Sequence, residues 1–380
     1  MLRSDDEVDF KTTCLDGSSR ARCGELSLPS GTVKTPAFMP VGTRGSVRGV
    51  MPDRLRECGT QMILANAYHL FLSPGAELVA ELGGLHRFMG WDGPILTDSG
   101  GYQVFSLSEP GLVTDDGAEI RSPLDGSPVL MGPHEATRVQ NLLGADIAMA
   151  FDQCPPYPCS RDEAKSATER TLKWAAVCKE VHSNERQALF GIVQGSVFED
   201  LRARCAERIV GMEFDGYAIG GVSVGEEAPL LRKVVRFTAP LLPDDRPRYL
   251  MGVGFPPELL MAVKEGIDLF DCVAPTRMGR NATAFTGRGR LRLRNSAHRK
   301  DGRPIEEGCD CPACGLYSRA YLNHLFRCHE MLGPVLVSLH NLRFYHRMMA
   351  AVREAIAAGG LAGFCEAFLS RYLQGEDKLR

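Results

Sequence analysis

Three carboxylates, one amide and two glycine pairs stand in or just after short apolar runs, where side chains capable of chemistry could converge. Asp98 follows residues 94–97 and opens Asp98-Ser99-Gly100-Gly101-Tyr102-Gln103. Asp152 follows 147–151, Gln194 follows 189–193, and Gly220-Gly221 follow 217–219. Asp271 lies inside the apolar run 269–273, where an unpaired carboxylate is costly to bury. One carboxylate can attack an anomeric carbon as a nucleophile while a second moves the proton. The paired-carboxylate logic of glycosidases transfers to N-glycosidic bonds. An Asp, a Gln amide and backbone amides beside Gly-Gly offer the donors and acceptors that read a purine edge, and Tyr102 can stack on its face. Taken singly, each feature has a plainer reading: an Asp after a strand caps a helix, and Gly-Gly makes a tight turn. Their convergence on one face is what points to chemistry.

The elements that would position them alternate. Eight short apolar runs (36–41, 62–67, 94–97, 147–151, 189–193, 217–219, 249–253, 269–273) have the length and flanks of buried parallel strands. Helical segments lie between them. Ser160 and Glu163 form a capping box opening a helix to about residue 181, and 198–212 and 256–266 have helical spacing. The alternation predicts an α/β protein with a (β/α)8 TIM barrel, whose strand C-terminal ends share one mouth. Residues 9–35 read as hairpins that precede the barrel, turning at Asp16-Gly17 and Ser30-Gly31. Residues 281–345 read as an inserted subdomain within a single catalytic domain spanning 1–380. The remainder, to about residue 379, reads as helix closing the barrel.

Cys309, Cys311 and Cys314 place three of the 13 cysteines within six residues. His324, Cys328, His329 and His340 are candidates for a fourth ligand, and by spacing Cys328 and His340 compete closely. Three thiolates and one imidazole make a closed, structural zinc site, and an iron–sulfur cluster is the rival. Between Arg277 and Arg303 there are nine Lys or Arg residues against one acid, in a chain whose net charge is −3. Arg288, Arg290, Arg292 and Arg294 alternate, so one strand face would present them together, as a solvated edge or as a contact for phosphates. No apolar run approaches the roughly 20 residues that span a bilayer. The first seven residues lack the apolar stretch of a signal peptide, so the expectation is a cytoplasmic protein.

These motifs, in this order, resemble the tRNA-guanine transglycosylases, the queuine tRNA-ribosyltransferases. The likeness runs from about residue 10 to residue 372. It rests on the stretches around Asp98, Asp152, Gln194, Gly220-Gly221, Met251-Gly252-Val253-Gly254 and Asp271 through Arg280, and on Cys-x-Cys-x2-Cys followed by Ser338-Leu339-His340-Asn341. The resemblance implies exchange of the wobble guanine, position 34, in tRNAs with GUN anticodons. Asp271 would be the nucleophile and Asp98 the proton acceptor and donor. The base would be bound by Asp98, Ser99, Gly100, Gly101, Tyr102, Asp152, Gln194, Gly221 and Met251, with Tyr102 and Met251 sandwiching the ring. The RNA would be held by Gly252, Val253, Gly254, Phe255, Pro256, Pro257 and Glu258, and by Thr276, Arg277, Met278, Gly279 and Arg280. The ligand set becomes Cys309, Cys311, Cys314 and His340 around one structural Zn2+. Cys154 and Val224 match bacterial members, implying preQ1 rather than queuine as incoming base, and a homodimer is implied. Two other classes compete: a silent RNA-binding subunit, against which both Asp98 and Asp271 argue, and an unrelated barrel glycosidase, against which the basic stretch argues.

Overall fold

A computed structural model describes residues 8–107, 113–122 and 125–376. Eight parallel strands close into a barrel in chain order: β1 (Ala37–Gly42), β2 (Ile63–Ala65), β3 (Ile95–Thr97), β4 (Ile147–Met149), β5 (Ala188–Val193), β6 (Gly216–Ile219), β7 (Arg248–Leu250) and β8 (Leu269–Cys272). β8 closes on β1, with Phe270 opposite Phe38 and Asp271 opposite Met39. The expected TIM barrel is the fold observed, with all eight expected strands present.

Alternate residues divide the strands between two cores, as a period of two requires. Ala37, Met39, Leu64, Leu96, Ile147, Phe190, Ile192, Tyr249 and Leu269 belong to one apolar cluster that, among the described residues, includes none from a helix, so they fill the barrel. Phe38, Leu189, Val193, Ile219, Leu250 and Phe270 pack with helical residues such as Leu172, Ile209 and Leu259, so they face outward. Each such fully buried Leu, Ile or Phe contributes about 1.5–3 kcal/mol from removal of apolar surface. Two residues beyond Leu96, Ile192, Tyr249 and Leu269 come Asp98, Gln194, Met251 and Asp271. The inward phase therefore carries these side chains into the mouth.

An antiparallel sheet of Asp9–Leu15, Arg22–Leu28 and Gly31–Thr35 precedes the barrel, as the hairpin reading expects. Its Phe10, Leu26, Leu28 and Val33 join the barrel-filling set. The turn at Asp16 is fastened by the Ser18 and Ser19 hydroxyls, which donate to the Asp16 carboxylate at 2.9 and 2.7 Å. The helix Arg161–Val181 begins on the expected capping box: Ser160 N–H donates to Glu163 at 2.7 Å and Glu163 N–H donates to Ser160 Oγ at 3.2 Å. A hairpin of Ala118–Arg121 and Pro128–Met131 between β3 and β4 was not foreseen. Its strands are only four residues long, too short for an alternation to stand out.

After β8 come a helix (Ala274–Arg280), a hairpin (Thr283–Thr286 with Gly289–Arg292) and two short helices (Pro312–Leu316, Arg319–Arg327). The hairpin and the two short helices share a separate apolar core that includes Ala284, Leu293, Ile305, Leu322 and Phe326, whereas Ala274 of the first helix packs in the main core. The helix Leu332–Ala357 then spans 26 residues and carries both subdomain and barrel contacts, so residue 345 falls inside it. Buried Asn341 on this helix donates to Pro275 and Thr283 carbonyls and accepts from Phe285 N–H, tying it to the preceding helix and hairpin. The last helix is Leu361–Glu376. Residues 377–379 of the expected helical tail lie outside the described residues.

Candidate active site

The strand C-terminal ends surround a cavity of about 510 Å3, lined among others by Asn66, Asp98, Asp152, Gln194, Gly221, Tyr249, Met251 and Asp271. Asp98 follows β3 directly. Its Oδ1 accepts from Ala67 N–H at 3.0 Å, and its Oδ2 accepts from the Asn66 amide and, at 3.4 Å, from Gln103. Burial pushes the Asp98 pKa up to about 7, and the neighbouring charges of Asp271 and Asp152 push the same way against the Ala67 and Gly100 N–H groups. A carboxyl poised there can give and take a proton at neutral pH.

Asp271 is fixed by two donors on Oδ1: the Tyr249 hydroxyl at 2.6 Å and Gly252 N–H at 2.7 Å. Burial raises its pKa while those two bonds hold it back. The second of them needs Gly252, whose φ of +71° turns the chain straight after β7. The expected strand 249–253 accordingly stops at Leu250.

Asp152 and Gln194 form a second group in the same cavity. Asp152, 4% exposed, accepts from Ser99 Oγ at 2.9 Å and from Gln194 Nε2 at 2.7 Å. Burial raises the Asp152 pKa, and the same two bonds oppose the rise. Because the amide nitrogen goes to Asp152, Gln194 Oε1 is left without a partner in a buried position. An unsatisfied acceptor beside a carboxylate suits a ligand edge that carries donors. Gly221 is required here: a Cβ would lie 2.3 Å from Gln194 Oε1, and its φ is +66°. Gly101 is required too, because its Cβ would sit 2.5 Å from the Asp152 carbonyl oxygen.

The structure thus brings Asp98, Ser99, Gly100, Tyr102, Asp152, Gln194, Gly221, Met251 and Asp271 to one cavity, with Gly101 packed on Asp152 behind it. Tyr102 is 57% exposed at the rim. Of the segments expected to meet RNA, Phe255 and Arg277 are exposed, whereas Val253, Pro256, Thr276 and Gly279 are buried. Gly254 lets the chain pass Cys272, whose Cβ a Gly254 Cβ would approach to 2.1 Å. Sequence reasoning missed Asn66 and Tyr249. Asn66 was legible as another polar residue closing an apolar run, but Tyr249 reads as core because its hydroxyl is the tip of an otherwise apolar ring.

The queuine tRNA-ribosyltransferase family model matches residues 16–374. A queuine tRNA-ribosyltransferase of Pelotomaculum thermopropionicum is 53% identical over 369 residues, covering 97% of this chain and 100% of the relative. One from Symbiobacterium thermophilum is 52% identical, covering 96% and 92% respectively. One from Stenotrophomonas maltophilia is 50% identical, covering 95% and 96%. The chain belongs to the queuine tRNA-ribosyltransferase family.

This family member carries a separate candidate metal centre. Cys309, Cys311, Cys314 and His340 present ligand atoms that all lie within 4.8 Å of one another. His340 Nδ1 is 3.7, 3.5 and 3.3 Å from the three sulfurs in that order. A tetrahedral zinc ion with its usual bond lengths would set sulfur and nitrogen roughly 3.6 Å apart. His340 Nε2 lies 2.8 Å from the Phe285 carbonyl, which orients the ring and leaves Nδ1 as the ligand atom. Of the competitors, Cys328 is exposed and meets only His324, at 3.7 Å. The cluster joins the short helix Pro312–Leu316 to the 26-residue helix and lies apart from the cavity.

Arg277 of the ribosyltransferase lines the cavity, and further basic side chains lie on its helix and on the following hairpin. Arg280 is half-buried with Nη1 unpartnered, and after burial the charges of Arg48 and Arg277 lower its pKa. Arg48 was not foreseen. Strand Gly289–Arg292 is shorter than the arginine alternation, so the four do not form one strand face. Arg292 and Arg294 point outward while Leu293 is buried, Arg290 lies over the Phe255 ring, and Arg294 lies over Phe326.

Proposed function

We propose that this enzyme exchanges the wobble guanine of GUN-anticodon tRNAs (those for Asp, Asn, His and Tyr) for preQ1, in queuosine biosynthesis. An Asp271 oxygen attacks the ribose C1′ as the C1′–N9 bond breaks, forming a covalent ester with the RNA. The departing base takes the electron pair and receives a proton from Asp98. The incoming base loses a proton to Asp98, attacks C1′ and releases the Asp271 carboxylate. Asp152, Gln194 and Gly221 read the base edge, and Tyr102 and Met251 flank its ring.

The observation that carries this reading is the meeting of a near-neutral Asp98 with an anchored Asp271 in one cavity, facing the unsatisfied Gln194 acceptor. Cys154 and Val224 also line that cavity and favour a compact base such as preQ1. The RNA lies across residues 252–258 and 276–280, under the arginines of the rim and hairpin. Cys309, Cys311, Cys314 and His340 hold one Zn2+, which when bound cross-links the 281–345 subdomain to the barrel helix. The protein works in the cytoplasm as a homodimer, within a single barrel domain. Labelled guanine should enter unmodified GUN-anticodon tRNA with wild type and fail with Asp271→Ala. Equal incorporation by both would refute the assignment of Asp271, and competition between preQ1 and queuine fixes the incoming base.

A further inference from the structure

Behind the base-reading wall lies a buried cation with no direct ion-pair partner among the described residues. Arg202, in the helix Glu199–Val210, is 0% exposed. Its Nε donates to the Ser196 carbonyl at 2.6 Å, and its Nη2 donates to the Gly220 and Gly221 carbonyls at 2.9 and 3.3 Å. Nη1 has no partner, and among the described residues no carboxylate forms an ion pair with this guanidinium. Burial draws its pKa down to about 10, so the charge persists at neutral pH.

The chain is shaped around this side chain. A Cβ on Gly195 would lie 2.7 Å from Arg202 Cγ, and one on Gly221 would lie 3.4 Å from Nη2. Fastening two turns needs no charge, and burying an unpaired one is costly. A charge kept at that cost suggests an electrostatic purpose. A carbonyl that accepts from a cation polarises its own peptide, and the N–H at the far end becomes a stronger donor. The Gly220 carbonyl shares its peptide with Gly221 N–H, and the Gly221 carbonyl shares its peptide with Val222 N–H. Gly221, Val222 and Cys154 all line the cavity.

We propose that Arg202 is a positioning residue that orients and polarises the Gly220–Gly221–Val222 peptides towards the departing base. This rests on the base-exchange reading above. As the C1′–N9 bond breaks, the electron pair passes into the base and the negative charge spreads to its ring carbonyl oxygen. Peptide donors backed by a buried cation are preorganised for that oxygen.

The test compares wild type with Arg202→Gln and Arg202→Lys in labelled-guanine exchange, with melting temperature measured alongside. Arg202→Gln should lower kcat by about 10- to 100-fold, with KM for tRNA changing less than about threefold. Arg202→Lys, which keeps the charge, should recover part of the loss. The distinguishing readout is leaving-group acidity. On tRNA carrying 8-azaguanine, a more acidic base, at the exchanged position, the penalty of both variants on base release should shrink at least threefold. A penalty equal for the two bases, or one confined to KM for tRNA, would overturn the proposal. Should Arg202→Gln not fold, the leaving-group comparison on Arg202→Lys decides alone. Failure of the base-exchange reading itself would look different, because wild type would then incorporate no guanine.

Discussion

Replacing Tyr249 by Phe removes one oxygen atom and tests how Asp271 is kept ready. The hydroxyl donates to Asp271 Oδ1 at 2.6 Å, and Gly252 N–H donates to the same oxygen at 2.7 Å, so the variant retains one anchor of two. A hydrogen bond to a charged group contributes about 1.5–3 kcal/mol. At about 1.4 kcal/mol per pKa unit, losing it should raise the Asp271 pKa by about 1–2 units. Burial already holds this pKa above the ordinary carboxylate value, so the shift adds to an existing one. The assay is the pH profile of kcat/KM for labelled-guanine incorporation, which reports the free enzyme. In the proposed mechanism attack requires ionised Asp271, which sets the acid limb, and base departure requires protonated Asp98, which sets the alkaline limb. Tyr249→Phe should move the acid limb up by about 1–2 units and leave the alkaline limb in place. The stability effect has the same sign logic. The ionised carboxylate loses more than the protonated one, so the melting-temperature deficit should be larger at pH 8 than at pH 5. An unmoved acid limb, or a deficit that grows towards acid, would refute the reasoning.

Asp98 has a folded pKa of about 7 against an ordinary value of 3.8, so ionising it costs stability as pH rises between those values. The melting temperature of Asp98→Asn minus that of wild type should therefore rise from pH 4.5 to pH 8, while exchange activity is lost at both; a flat difference would show that no such shift exists. His340→Ala removes the fully buried imidazole of the candidate metal centre and should abolish stoichiometric zinc by elemental analysis and lower the melting temperature, leaving a protein that chelator no longer destabilises. Zinc still at one per chain would return the fourth ligand to Cys328. Arg292→Ala with Arg294→Ala should weaken tRNA binding and reduce the log–log salt slope by about two, roughly one per phosphate contact. An unchanged slope would make these arginines a solvated edge.

Much of the site was legible because a TIM barrel converts strand order into spatial neighbourhood. Once eight apolar runs were counted, every polar residue at a strand end pointed to one mouth, and Asp98, Asp152, Gln194 and Asp271 lie there. The ligand set was only partly legible: spacing left Cys328 beside His340, and the choice came through resemblance. Geometry now supports that choice, because the 26-residue helix delivers Nδ1 to within 3.7 Å of all three sulfurs. Tyr249 and Arg202 were invisible. One looks like core and the other like one more charge on an amphipathic helix, and only their partners, 22 and 18 residues away, give them roles.

The sequence alone determined the barrel, the cysteine cluster and, at the mouth, Asp98, Asp152, Gln194 and Asp271. All of these follow from local alternation and spacing, which each short segment carries by itself. Tertiary structure decided the protonation of Asp98, the anchoring of Asp271, the empty acceptor on Gln194 and the unpaired charge of Arg202. These depend on desolvation and on hydrogen bonds between strands distant in sequence, which exist only once the barrel has closed.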